Sequence, residues 1–522
     1  MALNRSDMLK RAQGLKSPWA FVIIGGGATG MGIALDAASR GYRVLLLEQS
    51  DFGKGTSSRS TKLVHGGVRY LEQGNIALVM EALKERGLLR QNAPHLVNDL
   101  AFVVPSYAWW EAPFYGLGLK LYQALSGKYG FGKSHLLSRR QTLQRLPNIQ
   151  TEGLRGGVVY YDGQFDDARL LINLAMTAAE QGAVLLNYVQ VTGLRRDKEG
   201  LVCGVAARDL ETGRALSLRA SVVINAAGAF CDAVRAFAEP KVEPMIRPSQ
   251  GAHLVFDRSF LPGDSAIMVP HTSDGRVMFA IPWHGHTLVG TTDTPVQQPA
   301  LEPVPLRQEI EFILSTARLY LHKAPSRADV LSAFAGIRPL VKSGEGASTA
   351  GLSRDHTIHI DPSGLLTITG GKWTTYRHMA EGCVDQAATL AHLADKPCRT
   401  RDLRIHGYHR QTASFGSLAI YGSDAPAIQR IARERPGLET RLHPDLPYIE
   451  AEVLWAAREE MARTVEDVLA RRTRALFLNA RAALAMAPRV AALLAEELGQ
   501  TQAWQTRQLD AFAQVAAGYV VG

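Results

Sequence analysis

A strand, a glycine-rich turn and a helix near the start of the chain constrain its fold more than any other feature. Residues 21–24 form an apolar run of strand length. Glycines with G-x-G-x-x-G spacing follow, namely Gly25, Gly27 and Gly30, and residues 28–40 are rich in Ala, Leu and Ile at helical spacing. This order predicts a βαβ unit in which the helix N-terminus faces the phosphates of a dinucleotide.

A second apolar strand, residues 43–47, ends at Glu48. A carboxylate at this position can accept hydrogen bonds from ribose hydroxyls, and it disfavours a 2′-phosphate. The pattern therefore argues against NADP, but it does not choose between NAD and FAD.

Composition limits the other classes of function. A chain of 522 residues, 46% hydrophobic and 20% charged, predicts a globular protein of two or three domains. The net charge of +9 is compatible with an anionic partner, such as an anionic substrate or lipid, but the charge is dispersed along the chain, so no nucleic acid is expected. The four cysteines lack C-x-x-C pairing and metal-like spacing, which predicts no disulfide, no metal and a reducing compartment; they are Cys203, Cys231, Cys383 and Cys398.

Three segments raise the question of membrane contact. Residues 17–35 are uncharged, but glycines interrupt them, so no transmembrane helix is expected. The basic N-terminal segment, residues 1–18, is either a solvated terminus or a contact with an anionic membrane surface. The aromatic segment, Trp109 to Tyr122, either dips into lipid or packs within the protein, and packing is the more common outcome for such a pattern.

The order of predicted elements indicates how the chain is divided. A βαβ unit, an antiparallel meander and then a strand running into Gly228 favour a flavoprotein disulfide-reductase-like fold over a plain NAD dehydrogenase fold. Helices are predicted over 75–91, 167–181, 448–464 and 488–498, the last with Pro488 in its first turn. We expect residues 1–18 to form an N-terminal segment, and residues 19–95, 166–244 and 340–395 to form the nucleotide domain. We expect residues 96–165 and 245–339 to form the β-rich substrate domain, and residues 399–522 to form the C-terminal helical domain.

Four motifs identify a family. Residues 56–72, which read Thr-Ser-Ser-Arg-Ser-Thr-Lys-Leu-Val-His-Gly-Gly-Val-Arg-Tyr-Leu-Glu, resemble the flavin-contacting segment of the FAD-dependent glycerol-3-phosphate dehydrogenases. Residues 336–340, 353–356 and 369–377 resemble further marks of that family. The resemblance runs from about residue 19 to about residue 480.

The resemblance implies an α/β flavoprotein with a Rossmann-like FAD-binding domain of the D-amino-acid-oxidase and glutathione-reductase type, a β-rich substrate domain and a C-terminal helical cap. It implies oxidation of sn-glycerol 3-phosphate to dihydroxyacetone phosphate, with electrons passed to a membrane quinone. The expected location is the cytoplasmic face of the cytoplasmic membrane, bound peripherally as a monotopic protein. A homodimer is left open.

The resemblance also assigns residues to the cofactor. It places the flavin between the first glycine turn and the loops that follow, with Glu48 on the adenosine ribose. The cofactor contacts that it implies are Gly25, Gly27, Ala28, Thr29, Gly30, Glu48, Thr56, Ser57, Ser58, Lys62, Leu63, His65, Gly66, Gly67, Val189, Gly228, Gly371, Lys372 and Thr374.

A phosphorylated substrate requires fixed cations and a base. By similarity the phosphate is held by four cations with Tyr70 beside them; the cations are Arg69, Arg338, Arg354 and Lys372. His253 and His65 are the candidate bases, and the resemblance favours His253, with Arg338 polarising the developing carbonyl oxygen. For each residue taken alone, a structural role remains the alternative, as a surface ion pair for the cations or a buried core residue for the histidines.

Several other functions stay open. The nearest is an oxygen-dependent glycerol-3-phosphate oxidase that produces hydrogen peroxide, although the chain lacks an obvious insertion of the kind that soluble oxidases carry. A flavin-binding scaffold without activity and an NAD-dependent enzyme are the remaining alternatives. No D-x-[DN]-x-[DN]-G loop is present, so calcium control is not expected.

Overall fold

Two β-sheets organise the chain in a computed structural model that describes residues 3–15, 17–68, 75–269, 272, 277–342 and 356–522. The strands, numbered in chain order, are β1 (Trp19–Ile24), β2 (Val44–Leu47), β3 (Leu63–Val64), β4 (Val97–Ser106), β5 (His135–Ser138), β6 (Gly156–Phe165), β7 (Val184–Leu186), β8 (Val189–Arg196), β9 (Val202–Asp209), β10 (Ala215–Asn225), β11 (Ile246–Asp257), β12 (Ser265–Val269), β13 (Met278–Trp283), β14 (His286–Gly290), β15 (Thr294–Pro295), β16 (Ser332–Val341), β17 (His356–Ile360) and β18 (Leu366–Gly370).

The α-helices connect and cover these sheets. They are Arg5–Gly14, Ala28–Ser39, Ile76–Asn92, Glu111–Ser126, Arg139–Arg145, Asp167–Glu180, Cys231–Ala238, Arg307–Tyr320, Tyr376–Leu390, Ala425–Glu434, Glu450–Glu459, Ala475–Leu478, Ala480–Leu498 and Gln502–Ala517. A π-helical turn, Asp467–Arg472, lies within the C-terminal region.

The first sheet contains the βαβ unit that the sequence predicted. Its order is β17-β18-β10-β1-β2-β7, with β8 and β9 forming an antiparallel extension from β10. Strand β1 pairs in parallel with β2 and with β10, and every residue of β1 and β2 is buried. Strands covered on two faces need apolar side chains at every position, which explains the continuous apolar runs of the sequence.

The second sheet contains ten strands in the order β15-β11-β14-β13-β12-β4-β6-β3, with β16 paired to β11 and β5 paired to β6. Its strands come from residues 97–165 and 246–341, except for β3, which lies in the segment that the sequence assigned to the nucleotide domain. The C-terminal helices do not form a separate core. They share one apolar cluster with the second sheet, in which Phe334 of β16 contacts Phe477.

Two helices in the C-terminal region differ from the sequence prediction. Pro488 lies inside the helix Ala480–Leu498, not in the first turn of a helix beginning at 488. A proline there removes one backbone hydrogen bond, but this helix buries an apolar face that includes Met486, Val490 and Leu494, and that burial offsets the loss. The helix predicted over 448–464 is shorter and ends at Glu459.

The basic N-terminal segment is attached to the protein over its described residues. Met8 of the helix Arg5–Gly14 and Leu3, which precedes the helix, are buried in the core of the first sheet. Arg5 forms ion pairs with Asp209 at 2.6 Å and with Glu211 at 3.3 Å. The interpretation of this segment as a frayed, solvated terminus is therefore wrong, because its apolar face packs and its first arginine is paired.

The aromatic helix, Glu111–Ser126, has two apolar faces. One face buries Tyr115, Leu119 and Tyr122 in the core of the second sheet. The opposite face and the turn before it are exposed; its large apolar side chains are Trp109, Trp110, Phe114, Leu117 and Leu121, with Trp109 and Leu117 each 76% accessible. Packing within the protein thus accounts for only half of the segment. No helix among the described residues is long and apolar enough to cross a bilayer.

Candidate active site

The glycine turn between β1 and the following helix can be built only from glycine. Gly25 has φ +110°, and a Cβ there would lie 2.6 Å from the carbonyl oxygen of Ala226. A Cβ on Gly30 would lie 2.0 Å from the carbonyl oxygen of Gly25, so helix and turn make their close approach at this point. The N–H of Ala28, in the first helical turn, donates to Oγ of Ser57 at 2.8 Å.

Glu48, at the end of β2, is held by the backbone beside this turn. Its carboxylate accepts hydrogen bonds from the N–H of Gly26 at 2.7 Å and from the N–H of Ser50 at 2.8 Å. Burial raises the pKa of Glu48. The carboxylate is therefore fixed at the mouth of the turn, where its remaining lone pairs can accept from hydroxyl groups.

A cavity of about 350 Å³ lies at the carboxyl ends of β1, β2 and β10. Its apolar end is formed by Phe230, Val234 and Phe237. Eleven of the residues predicted to contact the cofactor line it: Gly25, Gly27, Ala28, Thr29, Glu48, Thr56, Ser57, Val189, Gly228, Gly371 and Lys372.

A second cavity of about 240 Å³ adjoins the first. The two share a wall formed by Thr56, Pro339 and residues 370–373. Residues predicted for catalysis, substrate and cofactor meet in this second cavity: Thr56, Leu63, His65, His253, Arg338, Gly371, Lys372 and Thr374. Cationic side chains and two imidazoles therefore lie next to the first cavity.

Arg338 is oriented by partners on the neighbouring strand connection. Its Nη2 donates to Oγ1 of Thr291 at 2.9 Å and to the carbonyl of Thr292 at 3.0 Å, while Nη1 lies 3.2 Å from Oδ1 of Asp293. A Cβ on Gly251 would lie 2.3 Å from Nη2 of Arg338. The missing side chain of Gly251 thus makes room for the guanidinium.

His253 is buried in β11, between Phe334 and the segment before β3. Its ring stacks on Phe334 with centroids 5.0 Å apart, and Nε2 lies 2.9 Å from Oγ1 of Thr61. Nδ1 is buried without a hydrogen-bond partner among the described residues. Burial, and then the charges of Lys62 and Arg338, hold the pKa of His253 well below its ordinary value. The imidazole is therefore neutral at pH 7.

Comparison with known proteins identifies the family. A family model described as FAD dependent oxidoreductase matches residues 20–377, and a model described as the C-terminal domain of alpha-glycerophosphate oxidase matches residues 366–505. The chain is 42% identical to the probable mitochondrial glycerol-3-phosphate dehydrogenase of Caenorhabditis elegans, over 94% of this chain and 72% of that protein. It is 41% identical to the mitochondrial glycerol-3-phosphate dehydrogenase of Mus musculus, over 97% and 75%.

A solved structure agrees over the whole length. The glycerol-3-phosphate dehydrogenase from Bacillus halodurans complexed with FAD superposes with a TM-score of 0.81 at 31% identity, covering 99% of this chain and 98% of that one. The chain belongs to the FAD-dependent glycerol-3-phosphate dehydrogenase family. The predicted family, the α/β FAD-binding fold with its helical C-terminal part, and FAD as cofactor are confirmed. L-α-glycerophosphate oxidase from Mycoplasma pneumoniae shares the fold, with a TM-score of 0.57 at 16% identity.

The residues of the first cavity fit the cofactor of this family. A dinucleotide needs backbone N–H groups at a helix N-terminus for its diphosphate and an acid for its ribose, and the turn at Gly25 to Gly27 and the fixed carboxylate of Glu48 supply them. Gly228 has φ +55° and nothing within 4 Å of its missing Cβ, so its backbone stays accessible in the cavity wall.

Lys62 and Ser58 differ from their expected role. The ammonium group of Lys62 is fully buried, 2.7 Å from Oδ2 of Asp167 and 2.8 Å from the carbonyl of Ser58, and neither residue lines the two cavities. Burial lowers the pKa of Lys62 to about 7, because loss of hydration disfavours the charged form more than Asp167 favours it. The Lys62 side chain is therefore directed into the protein and not toward a cofactor.

The remaining predicted residues are placed as follows. Gly30 and Gly66 lie behind the cavities; the N–H of Gly66 donates to the hydroxyl of Tyr122 at 2.8 Å, and a Cβ there would strike Leu83. Gly67 follows with φ +76° and lines neither cavity. Arg69, Tyr70 and Arg354 lie outside the described residues. Within the described part of the chain, no cluster of three His, Cys, Asp or Glu could hold a metal ion.

Sequence reasoning missed residues that shape the second cavity. Thr61 bonds His253, Asp293 bonds Arg338, and Gly290 leaves space for the imidazole, because a Cβ there would lie 2.4 Å from Cδ2 of His253. The run Gly290-Thr-Thr-Asp293 directly after an apolar strand was the available signal. The role of Gly251 follows only from strand pairing, since Gly251 faces Gly336 across the sheet.

Proposed function

We propose that this chain oxidises sn-glycerol 3-phosphate to dihydroxyacetone phosphate by hydride transfer to FAD. The observation that carries the proposal is the second cavity, in which Arg338, Lys372 and His253 meet against the wall that it shares with the nucleotide cavity. The names of the relatives support the same substrate.

Substrate recognition is assigned to the cations. A phosphate dianion requires positive donors in fixed positions, and Arg338 is fixed by Thr291, Thr292 and Asp293. Lys372 reaches the same cavity from the loop after β18. Arg69, Tyr70 and Arg354 are assigned to the substrate by family resemblance.

His253 is the proposed acceptor of the C2 hydroxyl proton. A neutral imidazole can take this proton, and the low pKa keeps it neutral in the resting enzyme. A bound phosphate dianion would offset the fields of Lys62 and Arg338, so the basicity of His253 would rise when substrate is present. Arg338 then stabilises charge on the C2 oxygen as the proton leaves.

The redox chemistry belongs to the cofactor, which accepts the hydride from C2 when bound. The protein positions C2 and supplies charge. The two cavities share residues 370–373, so the proposal requires the carbinol of a bound substrate to face the first cavity while its phosphate contacts the cations of the second.

Anaerobic mixing tests the half-reaction directly. We expect glycerol 3-phosphate to bleach the visible absorbance of the bound flavin, whereas glycerol and glycine leave it unchanged. Bleaching by glycine alone would instead indicate an amine oxidase. Failure of all three compounds would favour a flavin-binding protein without this activity.

For the electron acceptor we propose a membrane quinone. We propose that the protein binds the anionic surface of the cytoplasmic membrane on its cytoplasmic face. The exposed apolar face of the aromatic helix supports contact with lipid, because two tryptophans beside Phe114, Leu117 and Leu121 suit the bilayer interface. The net charge of +9 favours anionic lipid. Quinone is itself dissolved in the bilayer, so a peripheral, monotopic enzyme would meet it there. A homodimer remains part of the proposal to be tested by mass in detergent.

Oxygen is the second candidate acceptor. The matching C-terminal model and a fold neighbour both carry the name of glycerophosphate oxidases. With one preparation reduced by glycerol 3-phosphate, we expect a soluble quinone analogue to be reduced at least tenfold faster than hydrogen peroxide is formed. Equal or faster peroxide formation would identify an oxidase.

A further inference from the structure

A buried arginine of the C-terminal region reaches into the cofactor-binding half of the molecule. Arg474 has no accessible surface and donates to the carbonyl of Ser58 at 2.8 Å and to Oδ1 of Asp167 at 3.0 Å. Its other amine, Nη1, donates to the carbonyl of Ala470, and its guanidinium lies 4.2 Å from the ring centroid of Phe477. The guanidinium is therefore held through Nη1 by its own region of the chain, while Nη2 bonds the segment after β2 and Asp167.

Asp167 connects this arginine to the same segment. While Oδ1 faces Arg474, Oδ2 accepts from the N–H of Ser60 at 3.0 Å, from Oγ of Ser60 at 2.7 Å and from Nζ of Lys62 at 2.7 Å. Lys62 also donates to the carbonyl of Ser58. Two cations and one carboxylate thus fix the backbone of residues 58–62, a segment without regular structure of its own after Ser58.

The held segment has functional groups at its two ends. At one end, Oγ of Ser57 accepts from the N–H of Ala28 in the glycine turn, and Ser57 lines the first cavity. At the other end, Thr61 bonds Nε2 of His253 and lines the second cavity. A shift of this backbone would move groups in the two cavities together.

We propose that Arg474 is a positioning residue, which acts through Asp167 and Ser58 to hold residues 57–61 against the FAD site and against His253. Only the expected effect on kcat rests on the proposed function, and the expected effect on FAD binding does not. Because Arg474 lies outside the two cavities, it does not contact substrate phosphate, so its loss should leave KM for substrate nearly unchanged.

The matched control is Arg169. It is also buried and also joins the helix Asp167–Glu180 to the C-terminal region, through an ion pair with Glu460. Its further contacts are the carbonyl of Arg472 and the ring of Tyr421, and it makes no recorded hydrogen bond to residues 57–61 within the described part of the chain. Loss of either arginine removes one cationic partner of a buried carboxylate, while Asp167 keeps Lys62 and Glu460 keeps Arg472, so similar losses of thermal stability are expected.

The experiment compares Arg474→Gln, Arg474→Lys and Arg169→Gln in the full-length holoenzyme. We expect Arg474→Gln to raise the Kd for FAD at least tenfold, to shift the visible absorption maximum of the bound flavin and to lower kcat at least tenfold, with KM within about twofold. Arg474→Lys, which retains the charge and can donate to one of the two acceptors, should recover part of each effect. Arg169→Gln should keep the wild-type Kd for FAD, spectrum and kcat.

Equal Kd, spectrum and kcat in Arg474→Gln and Arg169→Gln would overturn the proposal. If Arg474→Gln does not fold, Ser60→Ala removes the bond from Oγ of Ser60 to Asp167 and the bond that this Oγ accepts from the N–H of Lys62. An unchanged Kd for FAD and kcat in that variant would overturn the proposal equally. FAD affinity and the flavin spectrum need no substrate. They therefore test the positioning role even if glycerol 3-phosphate fails to reduce the wild-type enzyme.

Discussion

The two adjoining cavities are built in different ways. The first has one local unit at its centre, namely the turn and helix N-terminus after β1 together with Glu48, and residues from distant parts of the chain, such as Gly228 and Gly371, complete it. The second draws His253, Arg338 and Lys372 from β11, β16 and the loop after β18, and it works through side chains. A site that depends on backbone conformation loses binding when that conformation changes. A site built from side chains can lose one side chain and keep its shape.

A side chain in the glycine turn should have the largest effect, and it should act on the first cavity. We expect Gly30→Val to abolish retention of FAD, because even its Cβ would overlap the carbonyl oxygen of Gly25 and force the turn apart. The measurement is the flavin-to-protein absorbance ratio after gel filtration. Gly193→Ala, which has open space around its Cβ, is the control. A yellow Gly30→Val protein with normal FAD affinity would show that the first cavity does not depend on the backbone conformation of this turn.

Loss of a cation should act on the second cavity alone. Arg338→Met should lower the rate of flavin reduction by glycerol 3-phosphate by about 10²–10³-fold, because a fixed positive group at the developing charge is lost. FAD content should stay as in the wild type, since Arg338 does not line the first cavity. Arg327→Met, at an exposed ion pair with Glu311, is the control. Loss of FAD together with activity would show that the two sites are not separable.

Removal of the proposed base should have the next largest effect. His253→Ala should lower kcat by about two orders of magnitude with FAD retained. Near-normal turnover would exclude His253 from proton transfer.

The pH dependence sharpens the same assignment. Because the pKa of His253 is lowered, the imidazole stays neutral as the pH falls through about 6.5, the ordinary pKa of histidine. Protonation of His253 should therefore cause no loss of kcat/KM in this range. The phosphate of the substrate titrates near pH 6, so the profile is corrected for the fraction of dianion. An additional inflection near pH 6.5, absent in His253→Ala, would contradict an imidazole of low pKa.

The smallest effect is expected outside both cavities. Phe114→Ser combined with Leu117→Ser should weaken sedimentation with anionic phospholipid vesicles about tenfold, since two exposed apolar side chains are lost. Anaerobic flavin reduction should remain as in the wild type. Leu201→Ser combined with Leu210→Ser, at exposed positions elsewhere, is the control. Unchanged vesicle binding would direct the search for a lipid contact to another surface.

The sequence predicted the first cavity far better than the second, for a physical reason. Gly25, Gly27, Gly30 and Glu48 perform their tasks within one local unit, so spacing alone identifies them. Arg338 and His253 were found only by family resemblance, and their neighbours Gly251 and Gly290 were not found, because strand pairing between distant residues brings them together.

Other errors share one cause. Pro488 follows tertiary packing where the local pattern predicted a helix start, and the N-terminal helix packs where the pattern left a solvated terminus open. The Lys62 side chain, which family resemblance assigned to the cofactor, is paired with Asp167. In each case burial of an apolar face, or pairing of a buried charge, determines the result. Local pattern cannot report such partners, since they lie far away along the chain.

The two-faced aromatic helix has a practical consequence for anyone who handles the protein. In plain buffer its five large outward side chains remain 47–76% accessible, so purified material should self-associate through them. A molecular mass measured without detergent would then include aggregates that form only after purification. Mild detergent or nanodiscs are the conditions in which the native stoichiometry should be determined.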